Sequence, residues 1–253
     1  PPRSTLSSSS AASDVYKRQL QEQTGIPVVA LRYGDLTGER ARMYESLRLI
    51  GNVMQREDRA QAIINYIDGL IEDLAQRTAG IEHRKSAYVG GVSFQGPRGL
   101  LSTDPAYAPF QFSGANNIAA GAIDQDLAGL FVTTVTTIQD RDPEFVFIDL
   151  GTYQLPPKLN AVRELKVFPQ FRNLHAVRED NIYLLFPDNW YGRNYSFTLA
   201  NSYVVGKTLY PDRFQDVDPP VKADAIFTFL VGKPVFGILN KSFGELVFKR
   251  LVD

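Results

Sequence analysis

Aromatic side chains, arginines and carboxamides gather in or beside three short stretches of this chain. The stretches are 95–112, 151–157 and 187–195. The aromatics are Phe94, Tyr107, Phe110, Phe112, Tyr153, Trp190, Tyr191 and Tyr195. Arg98, Arg193, Gln95, Gln154, Asn189 and Asn194 are interleaved with them. Aromatic faces with planar guanidinium and amide donors suit a bulky, partly apolar and often anionic ligand. They do not suit bond-breaking, because the only acids in these stretches are Asp104 and Asp188. No G-x-S-x-G, G-x-x-x-x-G-K-[ST] or H-E-x-x-H spacing occurs. The Gly-rich segment GGVSFQG follows a strand-like run but lacks the glycine spacing of a dinucleotide loop and reads as a strand entering a turn. Most single aromatics here fill a core or anchor a loop. The run 190–195 (WYGRNY) is the exception, since its bulky side chains and guanidinium are too many to bury at one turn.

Composition narrows the chemistry further. The 253 residues include no Cys and only two His, His83 and His175. Thiolate metal sites, disulfides, cysteine nucleophiles and multi-histidine metal sites are therefore excluded. Lys and Arg total 27 against 28 Asp and Glu, a net charge of -1, so no basic field points to nucleic acid. No run of 18 apolar residues exists to span a bilayer. With 44% hydrophobic residues, the chain can bury one large core or two modest ones.

The elements that must position these stretches follow an α/β grammar. Residues 1–19 are Ser-rich without an apolar period, and SSSSAASDVYKRQ resembles a translated adapter read-through. They are set aside as a non-native or disordered leader, a reading under which the chain is expected to be a C-terminal fragment of a longer protein. The run 26–31 (IPVVAL) reads as a buried strand and 41–54 as a helix. Ala60, Ile63, Ile64, Ile67, Leu70, Ile71 and Leu74 form one apolar stripe. It predicts a long helix over 58–80, with Asp58 at its start and Gly80 at its stop. Strands are predicted at 87–94, 145–150 and 181–186, and a closing strand at 244–251. Helices are predicted at 159–167, 169–177, 195–209 and 223–230, with short helical or irregular pieces at 116–122 and 128–131. Strands alternating with crossovers give a mostly parallel sheet flanked by helices. Ligands of such sheets sit beyond the carboxyl ends of the strands, where the three aromatic stretches lie.

The order of segments carries a resemblance. The series runs T-G-I-P-V-V, L-I-G-N-V-M, E-D-R-A-Q-A-I-I-N-Y-I, Y-V-G-G-V-S-F-Q-G, G-A-N-N-I-A, D-P-E-F-V-F-I-D, L-H-A-V-R-E-D-N-I-Y and L-Y-P-D-R-F. It resembles the substrate-binding proteins of ABC importers, of the iron-complex (siderophore)/cobalamin type, over about residues 20–253. The resemblance implies an α/β architecture of two lobes joined by a single long helix, with the N-terminal lobe largely missing. Residues 20–57 would be its remnant, 58–80 the linking helix and 81–253 the ligand-binding lobe. It further implies ligand contacts from Ser93, Phe94, Gln95 and Arg98 after the first strand of that lobe. Tyr153 and Gln154 would contribute after the second, and Trp190, Tyr191, Arg193, Asn194 and Tyr195 after the third. Asn116–Asn117 would cap a helix bordering the cleft. Where cobalamin-binding relatives carry an acidic permease-docking residue in a W-[FY]-E-R-like run, this chain has Gly192, so no docking residue carries over.

The function implied is extracytoplasmic delivery of a small molecule to a membrane permease and its ATPase. No enzymatic activity, resident cofactor or protein-held metal would be involved. The protein would be a monomer without nucleic-acid partners, periplasmic or extracellular, with or without a membrane anchor. A ferric siderophore or related metal chelate ranks first as ligand, ahead of a corrinoid such as cobalamin, haem, or an oxyanion such as molybdate. A chelate brings its metal already coordinated and needs stacking and hydrogen bonds rather than protein ligands. A sensor or scaffold module without transport is the alternative of another class.

Overall fold

The computed structural model describes residues 8–31, 34–93, 96–121, 124–125, 131–156, 159–189 and 192–251. Two compact units divide the chain, Pro1–Ala60 and Gln61–Asp253. The first contains α1 (Ser8–Thr24), α2 (Arg40–Met54) and the start of α3 (Glu57–Thr78). Helix α1 thus runs through the second half of the Ser-rich leader. The entry to α2 is set by Asp35, whose Oδ1 accepts the N–H groups of Thr37 and Glu39, both at 2.8 Å. The turn from α2 into α3 is tight: a Cβ on Gly51 would lie 2.7 Å from that of Ala60.

The strand predicted at 26–31 is not formed. These residues are irregular, and Ile26, Val29 and Leu31 are exposed. A strand needs a ladder partner, and the first unit offers no other strand among its described residues.

The second unit is an α/β layer structure. Its sheet contains β1 (Ser86–Gly90), β2 (Asn116–Asn117), β5 (Phe145–Asp149) and β6 (Ile182–Leu185), in the order β2-β1-β5-β6. All three pairings are parallel, with Val89 opposite Phe147 and Phe147 opposite Tyr183. Burial on both faces explains the uninterrupted apolar run of β5. The predicted strands at 87–94, 145–150 and 181–186 are these three, each trimmed. Gly91, at φ +73°, ends β1. The double glycine there permits close approach on both sides. A Cβ at Gly90 would meet Leu100 Cδ1 at 2.7 Å, and one at Gly91 would meet Ala161 Cβ at 3.1 Å.

Helices cover the sheet. In chain order they are α4 (Ala108–Ser113), α5 (Val135–Arg141), α6 (Ala161–Val167), α7 (His175–Arg178), α8 (Tyr195–Leu209), α9 (Pro219–Val231) and α10 (Phe236–Ser242). A two-stranded antiparallel pair, β3 (Asp124–Gln125) and β4 (Phe131–Val132), lies outside the main sheet. Ala87, Val89, Tyr107, Phe110, Phe147, Leu185, Val204, Val205 and Leu209 share one buried core, so α4 and α8 close over the strands. Helix α8 is buried over most of its surface, and its polar members bond inward: Ser202 Oγ donates to the Thr198 carbonyl (2.7 Å). Helix α3 presents Ile64, Ile67, Leu70 and Leu74 as its buried stripe. Its last turn is held by Arg77, which makes a bidentate pair with Asp216 (2.6 and 2.7 Å). Tyr203 on α8 donates to Asp73 on the same helix α3 (2.7 Å).

Four predictions are corrected. The helix at 169–177 is a short 3₁₀ turn (Pro169–Phe171) followed by α7. Asn116–Asn117 opens the irregular piece 116–122 as an edge strand. Asn117 caps no helix; its amide donates to the carbonyls of Asp104 (2.9 Å) and Pro105 (3.2 Å). The predicted strand 244–251 is not continuous, because Glu245 (φ 60°) and Phe248 (φ 65°) adopt left-handed backbone. Its end still shields the free edge of β6: the Phe248 N–H donates to the Leu184 carbonyl (2.9 Å), and the Leu251 N–H to the Ile182 carbonyl (2.7 Å). Among the described residues no helix is long and apolar enough to cross a membrane.

Candidate functional site at the carboxyl ends of the strands

Three loops leave the carboxyl ends of β1, β5 and β6, and one buried carboxylate joins them. Asp149, the last residue of β5, is 1% exposed. Its Oδ1 accepts the Ser93 Oγ–H (2.8 Å) and the Gly151 N–H (2.7 Å). Its Oδ2 accepts the Ser93 N–H (3.2 Å) and the Asp188 N–H (2.9 Å). Ser93 follows β1, Gly151 follows β5 and Asp188 follows β6. Burial pushes the Asp149 carboxyl up to about 6, against the pull of these four donors.

Beside it, Asp188 is also buried, and its carboxyl rises to about 7. Desolvation is the main cause, and the charges of Asp104 and Asp149 add to it, while Arg193 opposes them. Tyr107, buried at the start of α4, has its phenol pushed well above 10 by burial and by the same carboxylates. Asn201 on α8 fixes the exit of β6: its Oδ1 accepts the Phe186 N–H (3.1 Å) and its Nδ2 donates to the Phe186 carbonyl (2.9 Å).

Among the described residues, two hollows open on this end of the sheet. A small niche of 50 Å³ is lined by Val92, Ser93, Ser102, Thr103, Asp104, Phe131, Asp188, Asn189 and Arg193. A larger cavity of 410 Å³ has walls from Pro187, Phe197, Leu239 and Phe243, with Gln154, Gly192, Asn194 and Ser242 at its polar points. No charged side chain lines the larger cavity among the described residues. Among those residues no group of three or more His, Asp and Glu could hold a metal ion.

The predicted contact residues divide between these hollows. Ser93 and Arg193 line the niche, and Gln154 and Asn194 the larger cavity. Ser93 is fully buried, with its Oγ committed to Asp149. Asn194 also caps α8, accepting the Phe197 N–H (3.3 Å). Tyr153 is 38% exposed on the turn after β5. Arg98 is partly buried in a loop that is tied down at three points. Thr152 Oγ donates to the Arg98 carbonyl (2.7 Å), Tyr88 Oη donates to the Leu100 carbonyl (2.6 Å), and Glu164 accepts the Leu100 N–H (2.5 Å). Tyr195 is the first residue of α8 and is partly buried. Phe94, Gln95, Trp190 and Tyr191 lie outside the described residues.

Sequence reasoning missed Asp149 and the α10 wall. The sequence signal for Asp149 was a carboxylate ending an otherwise apolar strand, FVFID. No comparable signal marked α10.

No protein-family model and no curated protein sequence matches the chain. Solved structures do. A periplasmic solute-binding protein from Veillonella parvula superposes with a TM-score of 0.63 at 19% identity, covering 94% of this chain and 68% of its own. The molybdate periplasmic binding protein MolA of Haemophilus influenzae, solved with molybdate bound, gives 0.61 at 18% identity, covering 85% and 68%. The periplasmic haem-binding protein HutB of Vibrio cholerae gives 0.58 at 18% identity, covering 77% and 72%. The parallel sheet, its helical cover and the loops at its carboxyl ends are thus a known arrangement: this chain has the fold of the periplasmic solute-binding proteins.

Proposed function

We propose that this chain is the ligand-binding part of an extracytoplasmic solute-binding protein, which hands a ferric siderophore or a related metal chelate to an ABC-transporter permease and its ATPase. The larger cavity carries the reading. Its 410 Å³ falls in the ordinary range of small-molecule pockets, roughly 300–1,000 Å³. Apolar walls with a few polar points suit an organic ligand whose metal is already coordinated. A small oxyanion would call instead for a compact set of donors or cations. In this reading residues 20–57 belong to the companion lobe and 58–80 to the helix that links the lobes. Phe94, Gln95, Trp190 and Tyr191 complete the ligand face with Ser93, Arg98, Tyr153, Gln154, Arg193, Asn194 and Tyr195. The ligands of HutB and MolA make haem and molybdate the natural competitors, with a corrinoid as a third.

The test uses the only tryptophan, Trp190, as reporter. The protein is titrated separately with iron(III) tris-catecholate, haemin, cyanocobalamin and molybdate, with calorimetry in parallel. Saturable binding of the iron chelate with a change in Trp190 emission is the expected result. Preference for molybdate, haemin or cyanocobalamin would replace the ligand class. Saturable chelate binding with unchanged emission would remove Trp190 from the face. Binding of none of the four would overturn the transport reading.

A further inference from the structure

The loops assigned to the ligand come from three different strands, yet they share one anchor. We propose that Asp149 is the positioning residue of the ligand face, a buried carboxylate that holds the loops after β1, β5 and β6 in register before any ligand arrives. The ligand part of this assignment rests on the function proposed above; the tie between the loops does not.

A purely local role would look different. Asp149 precedes the 3₁₀ turn Leu150–Gln154, and its bond from the Gly151 N–H caps that turn. That duty occupies one oxygen. The other accepts N–H groups from Ser93 and Asp188, 56 and 39 residues away along the chain. Burying a carboxylate this fully is unfavourable unless donors compensate it, and here all four bonds are donated to it. The consequence reaches each loop. Ser93 stands where the β1 loop begins, Gly151 precedes Tyr153 and Gln154, and Asp188 leads to Arg193 and Asn194. The titratable groups around the anchor are Asp188, Asp104, Arg193 and Tyr107.

The hydrogen-bond inventory of Asn shows which of the four bonds its substitution removes first. An amide has one acceptor oxygen and one donor nitrogen. With its oxygen on the Ser93 and Asp188 N–H groups, its nitrogen can donate to Ser93 Oγ but faces the Gly151 N–H, donor against donor. The first loop released is therefore 151–154, the one that carries Tyr153 and Gln154.

The experiment follows amide protons by NMR on the full chain, without ligand. In Asp149→Asn, exchange of the Gly151 amide should be about tenfold faster or more at constant pH. The Ile226 amide, in the buried core of α9, should not change. Unchanged exchange at Gly151 would overturn the proposal. Loss of the Gly151 bond would follow from a local cap as well, so the tie across the loops is decided on the wild-type protein, whether or not the variant folds. The Ser93 and Gly151 amides lie in different loops, and both should shift with pH at one shared midpoint near 6. Separate midpoints would overturn it. A binding arm uses iron(III) tris-catecholate. If the wild type binds it, Asp149→Asn should bind about tenfold more weakly, and equal affinity would defeat the positioning role. If the wild type does not bind it, the chelate reading fails, and the amide measurements still judge the tie.

Discussion

Asp188 illustrates how a single side chain can work against stability. Its carboxyl is raised from 3.8 to about 7 by burial and by Asp104 and Asp149. The folded chain therefore holds a proton that the unfolded chain has already released, over the interval from about 4 to about 7. Stability contributed by this group is greatest at the acidic end and declines as pH rises through that window. Asp188→Asn removes the titration while nearly preserving shape. The variant should be at least as stable as the wild type at pH 7.5, and its stability should vary less between pH 5 and 7.5. Thermal unfolding at the two pH values checks this, and a variant less stable than wild type at pH 7.5 would contradict the assignment. Asp149 differs from Asp188 in having four donors of its own. Neither role was legible in the sequence, where one Asp ends a strand and the other follows a proline. A carboxylate's partners across 39 or 56 residues become known only once the strands are side by side.

At the scale of elements, α8 shows most plainly how packing decides position. Its apolar spacing alone predicts a helix over 195–209, and the helix runs Tyr195–Leu209. What the spacing does not show is that one glycine lets a ring pass. A Cβ on Gly206 would overlap the Phe214 ring, closer than any real contact. Gly206→Ala should therefore destabilise the protein despite the better helix propensity of Ala, by about 1–3 kcal/mol from overpacking. Urea unfolding would show it, and a neutral or stabilised variant would refute the steric argument. Helix α10 leaves no such mark in the sequence, for the converse reason. It is 7 residues long, too short for a period to stand out. The strand predicted at 244–251 had suitable residue types, but two left-handed residues, Glu245 and Phe248, interrupt it, a backbone conformation such residues rarely adopt.

At the scale of the whole molecule, one face of the sheet in the second unit packs under the helices α4 and α8. Phe147 belongs to that core: it is fully buried on β5, with its ring 5.5 Å from Phe110 and 5.9 Å from Tyr183. Phe147→Ala should cost about 3–5 kcal/mol. Because the side chain belongs to the core that α4 and the strands share, the loss should appear as a lower midpoint of a single unfolding transition of this unit. A loss below about 1 kcal/mol would mean that the core closes around the gap more fully than large-to-small substitutions ordinarily allow. The exposed apolar run at 26–31 shows the opposite condition. Its residue types suit a sheet, but the first unit shows no described strand with which to pair.

Legible in the residues alone were the α/β class, the three longer strands of the sheet, the long helix α3 and the loops that leave the carboxyl ends of those strands. Each of these is written in local patterns: apolar runs for buried parallel strands, a 3.6-residue stripe for a helix, and turn-forming residues after strand ends. Packing of the whole chain was needed to make Asn116–Asn117 an edge strand, to set α10 against a cavity, and to bring three loops to Asp149. Those outcomes depend on which segments meet in space, and the energies involved, pairing of buried polar groups and the filling of volume, exist only after the meeting has occurred.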